Sequence, residues 1–201
     1  MGDNPHVIQS FLDSLAVEVN KYGMYFSPAK CKALVQDWQL SPPVLTLLGE
    51  PLELVEGFTY LGSQISAKGD ITAEITSRIS KARAAFSNLR HLWRRRDVSL
   101  YLKGRVYNTT LRAVLLYGCG SWTLRVNDNK RLSAFDHRCL RSISRVWWQL
   151  RISNAEVRRR VLKSEKNTEI GHVIVKNQLR WLGHVLRMDQ NRLPRRALFA
   201  S

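Results

Sequence analysis

The chain has 201 residues, with 44% hydrophobic and 9% aromatic content, which supports a packed core and excludes a disordered tail. Its 32 Lys and Arg stand against 16 Asp and Glu, a formal charge of +16, and three widely spaced cysteines exclude a disulfide scaffold or a zinc ribbon. No apolar run approaches the roughly 20 residues that span a bilayer, and the N-terminus carries no basic or apolar signal region, so the sequence predicts an intracellular protein, nuclear or cytoplasmic and not secreted.

The charge is unevenly spread. Residues 1–77 hold 4 basic and 9 acidic side chains, while residues 78–201 hold 28 and 7. Arginine dominates the excess, and its planar fork suits phosphate. A polyanion that releases counterions on binding is the default partner of the second part. No helix pairs a purely basic face with a purely apolar one, so no membrane partner is expected, and nothing suggests a small-molecule substrate.

Asn4-Pro5 predicts a helix start, and Ile8, Phe11, Leu12, Leu15, Ala16 and Val19 recur at helical spacing up to Tyr22-Gly23. CKALV, VLTLLG, LELV and FTYLGSQIS predict short strands, punctuated by SPP and by glycines. From Asp70, placed as a helix cap, the pattern is helical: Ile71, Ile75, Ile79, Ala82, Phe86 and Leu89 form one apolar stripe. Ser99 caps a helix running to about Tyr117, with Gly118 as the stop. A third helix uses Leu132, Phe135, Cys139, Ile143 and Val146. Ser153 to Glu156 reads as a capping box before VRRRVL; a fifth helix covers about 169–188, and RLPRRALFA closes the chain. The expected fold class is α+β: a small mixed element with a helix and short antiparallel strands over residues 1–69, then a mainly α-helical basic bundle over 70–201.

NKYGMYFSPAKCKALV, FTYLGSQISAKGDITAEITSRISKARAAFSNL, LLYGCGSWTL, FDHRCLRSISRVWW, RISNAEVRRRVL and RWLGHVLRM…RLPRRALF follow one another in an order that resembles the C-terminal part of non-LTR (LINE-type) retrotransposon reverse transcriptases, from about residue 6 to 200. The resemblance implies the end of a palm, a primer-grip hairpin at FTYLG, and a thumb with its C-terminal extension. It matches Lys30 to a characteristic palm lysine, with Lys32 a near alternative, and implies an RNA or DNA primer–template as partner, together with the palm and fingers of an intact polymerase. The aromatic-x-Asp-Asp turn that holds magnesium in an intact polymerase has no counterpart here; Gly2-Asp3-Asn4 offers one carboxylate and no preceding aromatic. The expectation is therefore a truncated RNA-directed DNA polymerase, inactive on its own, without a cofactor or catalytic residue beyond the candidate Lys30. The alternatives are a free-standing nonspecific nucleic-acid-binding protein or a non-functional retrotransposon-derived product.

Candidate binding residues follow. Phe58 and Tyr60 share one strand face, toward core or primer, and Gly62 allows close backbone approach. Arg83, Arg90, Arg94, Arg95, Arg96, Lys103 and Arg105 are candidates for phosphate contact, or solvated surface. Trp147, Trp148 and Trp181 either stack on bases or pack, with the register of Trp181 favouring the core. His137, Cys139, His172 and His184 match no zinc spacing, and no metal site is expected.

Overall fold

A computed structural model describes residues 4–36, 42–163 and 169–199. Gly2 and Asp3 of the GDN segment, Ser41 of SPP and Ala200 lie outside the described residues. The chain divides into two compact units, Met1–Asp70 and Ile71–Ser201. The architecture is α+β and mainly helical, as the residue pattern predicts.

In the first unit, Asn4 caps α1 (Pro5–Lys21) by accepting from the His6 amide at 2.9 Å, and Pro5 occupies the first turn, where its missing N–H costs nothing. The apolar stripe of α1 is half-buried, and Phe11 is exposed. Short strands follow: β1 (Lys32–Ala33), β2 (Thr46–Leu47), β3 (Glu50–Pro51), β4 (Glu53–Leu54), β5 (Gly57–Tyr60) and β6 (Ser63–Ser66). Among the described residues they form three two-stranded ladders. Two are antiparallel hairpins as expected, but β1 runs parallel to β4, because the connection between them is long enough to return the chain. The Gln9 side-chain amide donates to Thr46 O and accepts from Thr46 N, each at 2.9 Å, so α1 supplies the backbone partners that a further strand would give.

The second unit is helical. Its first helix, α2 (Thr72–Asn88), starts one residue later than the Asp70 cap implies; Ile71 holds the cap position and makes no side-chain bond. Buried Glu74 in the first turn complements the exposed amide dipoles instead, and it pairs with Arg78 at 2.6 Å. Next come α3 (Arg90–Arg94), α4 (Leu100–Val106), a π-helical turn over Tyr107–Leu111 and α5 (Arg112–Leu115). Ser99 Oγ accepts from Leu102 N, confirming the predicted cap. The helix from Leu100 to Leu115 is thus continuous but carries a wide turn, in which Thr109 and Thr110 hydroxyls donate back to the carbonyls of Arg105 and Val106.

Among the described residues α6 (Val126–Ser144), α7 (Asn154–Leu162), α8 (Ile170–Leu186) and α9 (Leu193–Leu198) follow. The predicted stripes converge on one core that includes Ile75, Ala82, Leu132, Phe135, Cys139, Ile143 and Val146, joined by Val157, Val161, Ile170 and Ile174. At the α4–α7 crossing, Gly104 brings the backbones together: a Cβ there would lie 2.9 Å from Val161 C and closer still to its carbonyl oxygen. Only half of the capping box forms. Ser153 Oγ accepts from Glu156 N, while the Glu156 carboxylate pairs with Arg159 and Arg160. Arg145 at the end of α6, Arg151 after the 3-10 turn Trp148–Leu150 and Lys163 at the end of α7 adopt left-handed φ of 55, 47 and 49°. Among the described residues, no helix is long and apolar enough to cross a membrane.

Candidate nucleic-acid interface

The β5–β6 hairpin positions the two aromatic candidates. Its register sets Phe58 opposite Ile65 and Tyr60 opposite Ser63, so Phe58 and Tyr60 share a face, while Thr59 Oγ1 bonds Gln64 Oε1 at 3.0 Å on the other. Phe58 is 39% and Tyr60 57% exposed, so neither fills a core. The two-residue turn Leu61–Gly62 has φ of +47 and +83°, the sign pattern of a type I′ hairpin. A Cβ on Gly62 would meet nothing within 4 Å, so within this hairpin the glycine answers the turn's backbone conformation. Lys30 is exposed at the end of the 3-10 turn Pro28–Lys30, and Lys32 Nζ is 2.9 Å from Glu53 Oε2 across the parallel pair.

In the helical unit, Arg83, Arg90, Arg94, Arg95, Arg96 and Arg105 are exposed. Lys103 is not: it is 5% exposed, and its ammonium donates to Trp93 O at 3.2 Å and to Arg95 O. A cation at the end of α3 satisfies carbonyls that the helix leaves unpaired, so this lysine is removed from the candidate phosphate contacts. Burial, and then the nearby Arg145 charge, push its pKa below the ordinary lysine value, with Asp97 opposing them. Arg95 is engaged by Asp97, its Nε lying 3.0 and 3.1 Å from the two carboxylate oxygens. That hydrogen bond raises the arginine pKa and lowers that of the aspartate.

Arg90 and Arg94, one helical turn apart on α3, line a groove of about 490 Å³. Phe86 and Ser87 contribute from α2, Trp93 from α3, and Ser142, Arg145 and Trp147 from the end of α6 and the residues beyond. The Phe86 and Trp93 rings stack 5.5 Å apart, and Trp93 Nε1 donates to Phe86 O at 3.0 Å, which fixes the wall between α2 and α3. Arg145 Nη2 donates to Arg94 O at 2.6 Å and so stands at the same groove. None of the described residues lining it is acidic. Arg83, Arg95, Arg96 and Arg105 lie outside the lining.

Arg145 lies outside the arginines that charge clustering singles out, although the sequence carries a signal: Arg138 and Arg141 of α6 and Arg145 just past its end recur at steps of three and four. Trp181 is exposed in part although Ile174 and Val185 of the same register are buried; the space beside its Cβ is closed by Gly120. Among the described residues, no three His, Cys, Asp or Glu side chains gather where a metal ion could bind. Cys139 packs in the core, and burial pushes its thiol up to about 12, away from the thiolate that metal ligation needs.

Comparison with known proteins adds one relative. The chain is 27% identical over 205 residues to an uncharacterized transposon-derived protein of Caenorhabditis elegans, an alignment covering 96% of this chain and 70% of that one. The likeness supports a transposon-derived origin along nearly the whole chain. No family model matches it, and no solved structure matches.

Proposed function

We propose that this chain is the primer–template-holding part of a retrotransposon reverse transcriptase of the non-LTR type. The observation that carries the reading is the groove where Arg90, Arg94 and Arg145 meet beside Trp147 without an acidic neighbour in the lining. Guanidinium groups gathered along one groove suit a sugar-phosphate backbone, which is bound without base readout. The transposon-derived relative supports the origin this reading requires, and the ordered motifs of the sequence support its polymerase part. The role is binding; no catalytic step is assigned to residues of this chain.

The test is fluorescence anisotropy on a labelled primer–template at increasing salt. Affinity should fall steeply, and each of Arg90→Ala, Arg94→Ala and Arg145→Ala should flatten the slope of log K against log salt by about 1. Salt-insensitive binding, or none, overturns the reading. Metal-dependent primer extension by the purified chain would add a catalytic role to it.

A further inference from the structure

The end of α6 projects two tryptophans. Arg145, in the left-handed conformation, donates its amide to Ser142 O, and Val146 N reaches back to Arg141 O at 3.0 Å. These are the paired bonds that close a helix in a Schellman arrangement. Val146 then seats in the core. With the helix closed and Val146 anchored, the next two side chains are carried outward: Trp147 is 67% and Trp148 80% exposed.

Both indoles line a second groove of about 530 Å³, with His137, Arg138, Arg141 and Asn154 among its other residues. Ser142 and Trp147 line this groove and the Arg90–Arg94–Arg145 groove alike, so the two adjoin at the end of α6. None of the described residues lining either is acidic. Arg141 is held in place by Asn154 Oδ1 at 3.0 Å and by Ile152 O. An arginine has five N–H donors, so such tethering still leaves donors for a ligand oxygen. Two wide aromatic faces in water, set among guanidinium groups, are poorly explained by stability, since indole faces gain by burial.

We propose that Trp147 and Trp148 form a base-stacking platform for unpaired nucleotides, with Arg138 and Arg141 on one side and Arg90, Arg94 and Arg145 on the other holding the flanking phosphates. This rests on the nucleic-acid-binding reading above and names what the tryptophans add to it: a place for the unpaired stretch of a strand. Every base has a π-face, so stacking is tolerant of sequence, whereas bases inside a duplex are already stacked and offer no face. The excess of guanidinium over carboxylate at the grooves favours a polyanion over a protein partner.

The experiment uses the full chain and three labelled probes of equal length: a thymidine oligonucleotide, an abasic strand with the same phosphates, and a blunt duplex. The double variant Trp147→Ala/Trp148→Ala should weaken binding to the thymidine strand about tenfold or more, and leave the abasic strand and the duplex unchanged. Trp147→Phe/Trp148→Phe should keep most of the thymidine affinity, and an unchanged circular dichroism melt excludes misfolding. Arg90→Ala/Arg94→Ala should weaken all three probes. If the tryptophan variant binds the thymidine strand like the parent, or loses all three probes equally, the platform is refuted while the arginine result leaves nucleic-acid binding standing. If the tryptophan variant changes the sedimentation of the free chain and not strand binding, the indoles serve protein association and the platform is refuted. Failure of the parent to bind any probe refutes the platform and the underlying reading together.

Discussion

Tyr107 donates its phenolic proton to Asp136 Oδ1 across 2.7 Å, and both residues are 0% exposed. Arg112 completes the group, with Nε 2.9 Å from Oδ1 and Nη2 2.8 Å from Oδ2. Burial, reinforced by the Asp136 charge, holds the phenol well above its ordinary pKa. Replacing Asp136 with Asn leaves a buried guanidinium without its counter-charge, which should cost about 3–5 kcal/mol. Tyr107→Phe removes one hydrogen bond to a charged group and should cost about 1.5–3 kcal/mol. Urea melts of the two variants check the order; equal losses would contradict it.

Gly104→Ala separates intrinsic helix preference from packing. Preference alone would stabilise the helix by about 1 kcal/mol. The Val161 backbone occupies the space a methyl group needs, so α4 and α7 must part, and a net loss of about 1–3 kcal/mol is expected. A raised melting temperature would show that the crossing is looser than described.

Lys103→Met should destabilise the protein by about 2–3 kcal/mol, because the Trp93 and Arg95 carbonyls lose a charged donor. It should leave the salt dependence of nucleic-acid binding unchanged, whereas Arg90→Ala should do the reverse. Paired melts and binding isotherms on the two variants distinguish a supporting cation from a contacting one.

His137 should make stability fall on mild acidification. Burial is the main cause of its depressed pKa; Arg158 and Arg141 add to the effect, while Asp136 and Glu169 oppose it. Its ring nitrogens lie 3.1 Å from Asn154 Nδ2 and 3.4 Å from Arg158 Nη1. With the folded value below the ordinary 6.5, the unfolded chain takes up the proton first. The histidine's contribution is therefore complete above that value and is lost as pH drops through it toward the folded pKa. Melts between pH 7.5 and 5.5 should show the loss, and His137→Gln should flatten it.

Thiol titration should find one reactive cysteine in the native protein and three in denaturant. Cys119 and Cys139 are buried with pKa values raised by burial, a rise that the Asn177 donor 3.2 Å from Cys119 Sγ opposes without cancelling; Cys31 is partly exposed. Native reaction of all three would indicate an open core.

The helical stripes were legible because a period of 3.6 fixes which residues face inward: Ile75 and Ala82 of α2 and Leu132 and Ile143 of α6 are buried as their spacing requires. The Asn4, Ser99 and Ser153 caps were legible for a local reason, since each acts within three residues of itself. The buried place of Lys103 is not legible, because its partners are carbonyls at the end of another helix, a relation no local pattern encodes. The π-turn that begins at Tyr107 carries no glycine or proline to mark it, and the Tyr107 hydroxyl finds its partner in the distant Asp136. The groove joins Arg90 and Arg94 to Arg145 about fifty residues later, so clustered charge along the chain indicated half of its basic wall.

Arg145, Arg151 and Lys163 each hold a backbone position that glycine occupies without steric penalty, at a cost of about 1–2 kcal/mol apiece for a side chain with a Cβ. A campaign to raise heat tolerance would reach for glycine at all three sites, and each exchange would erase a cation. At Arg145 the gain in robustness would come directly out of the wall beside Trp147. Variants selected for survival at high temperature should therefore drift toward a hardier fold with a weaker hold on polyanions.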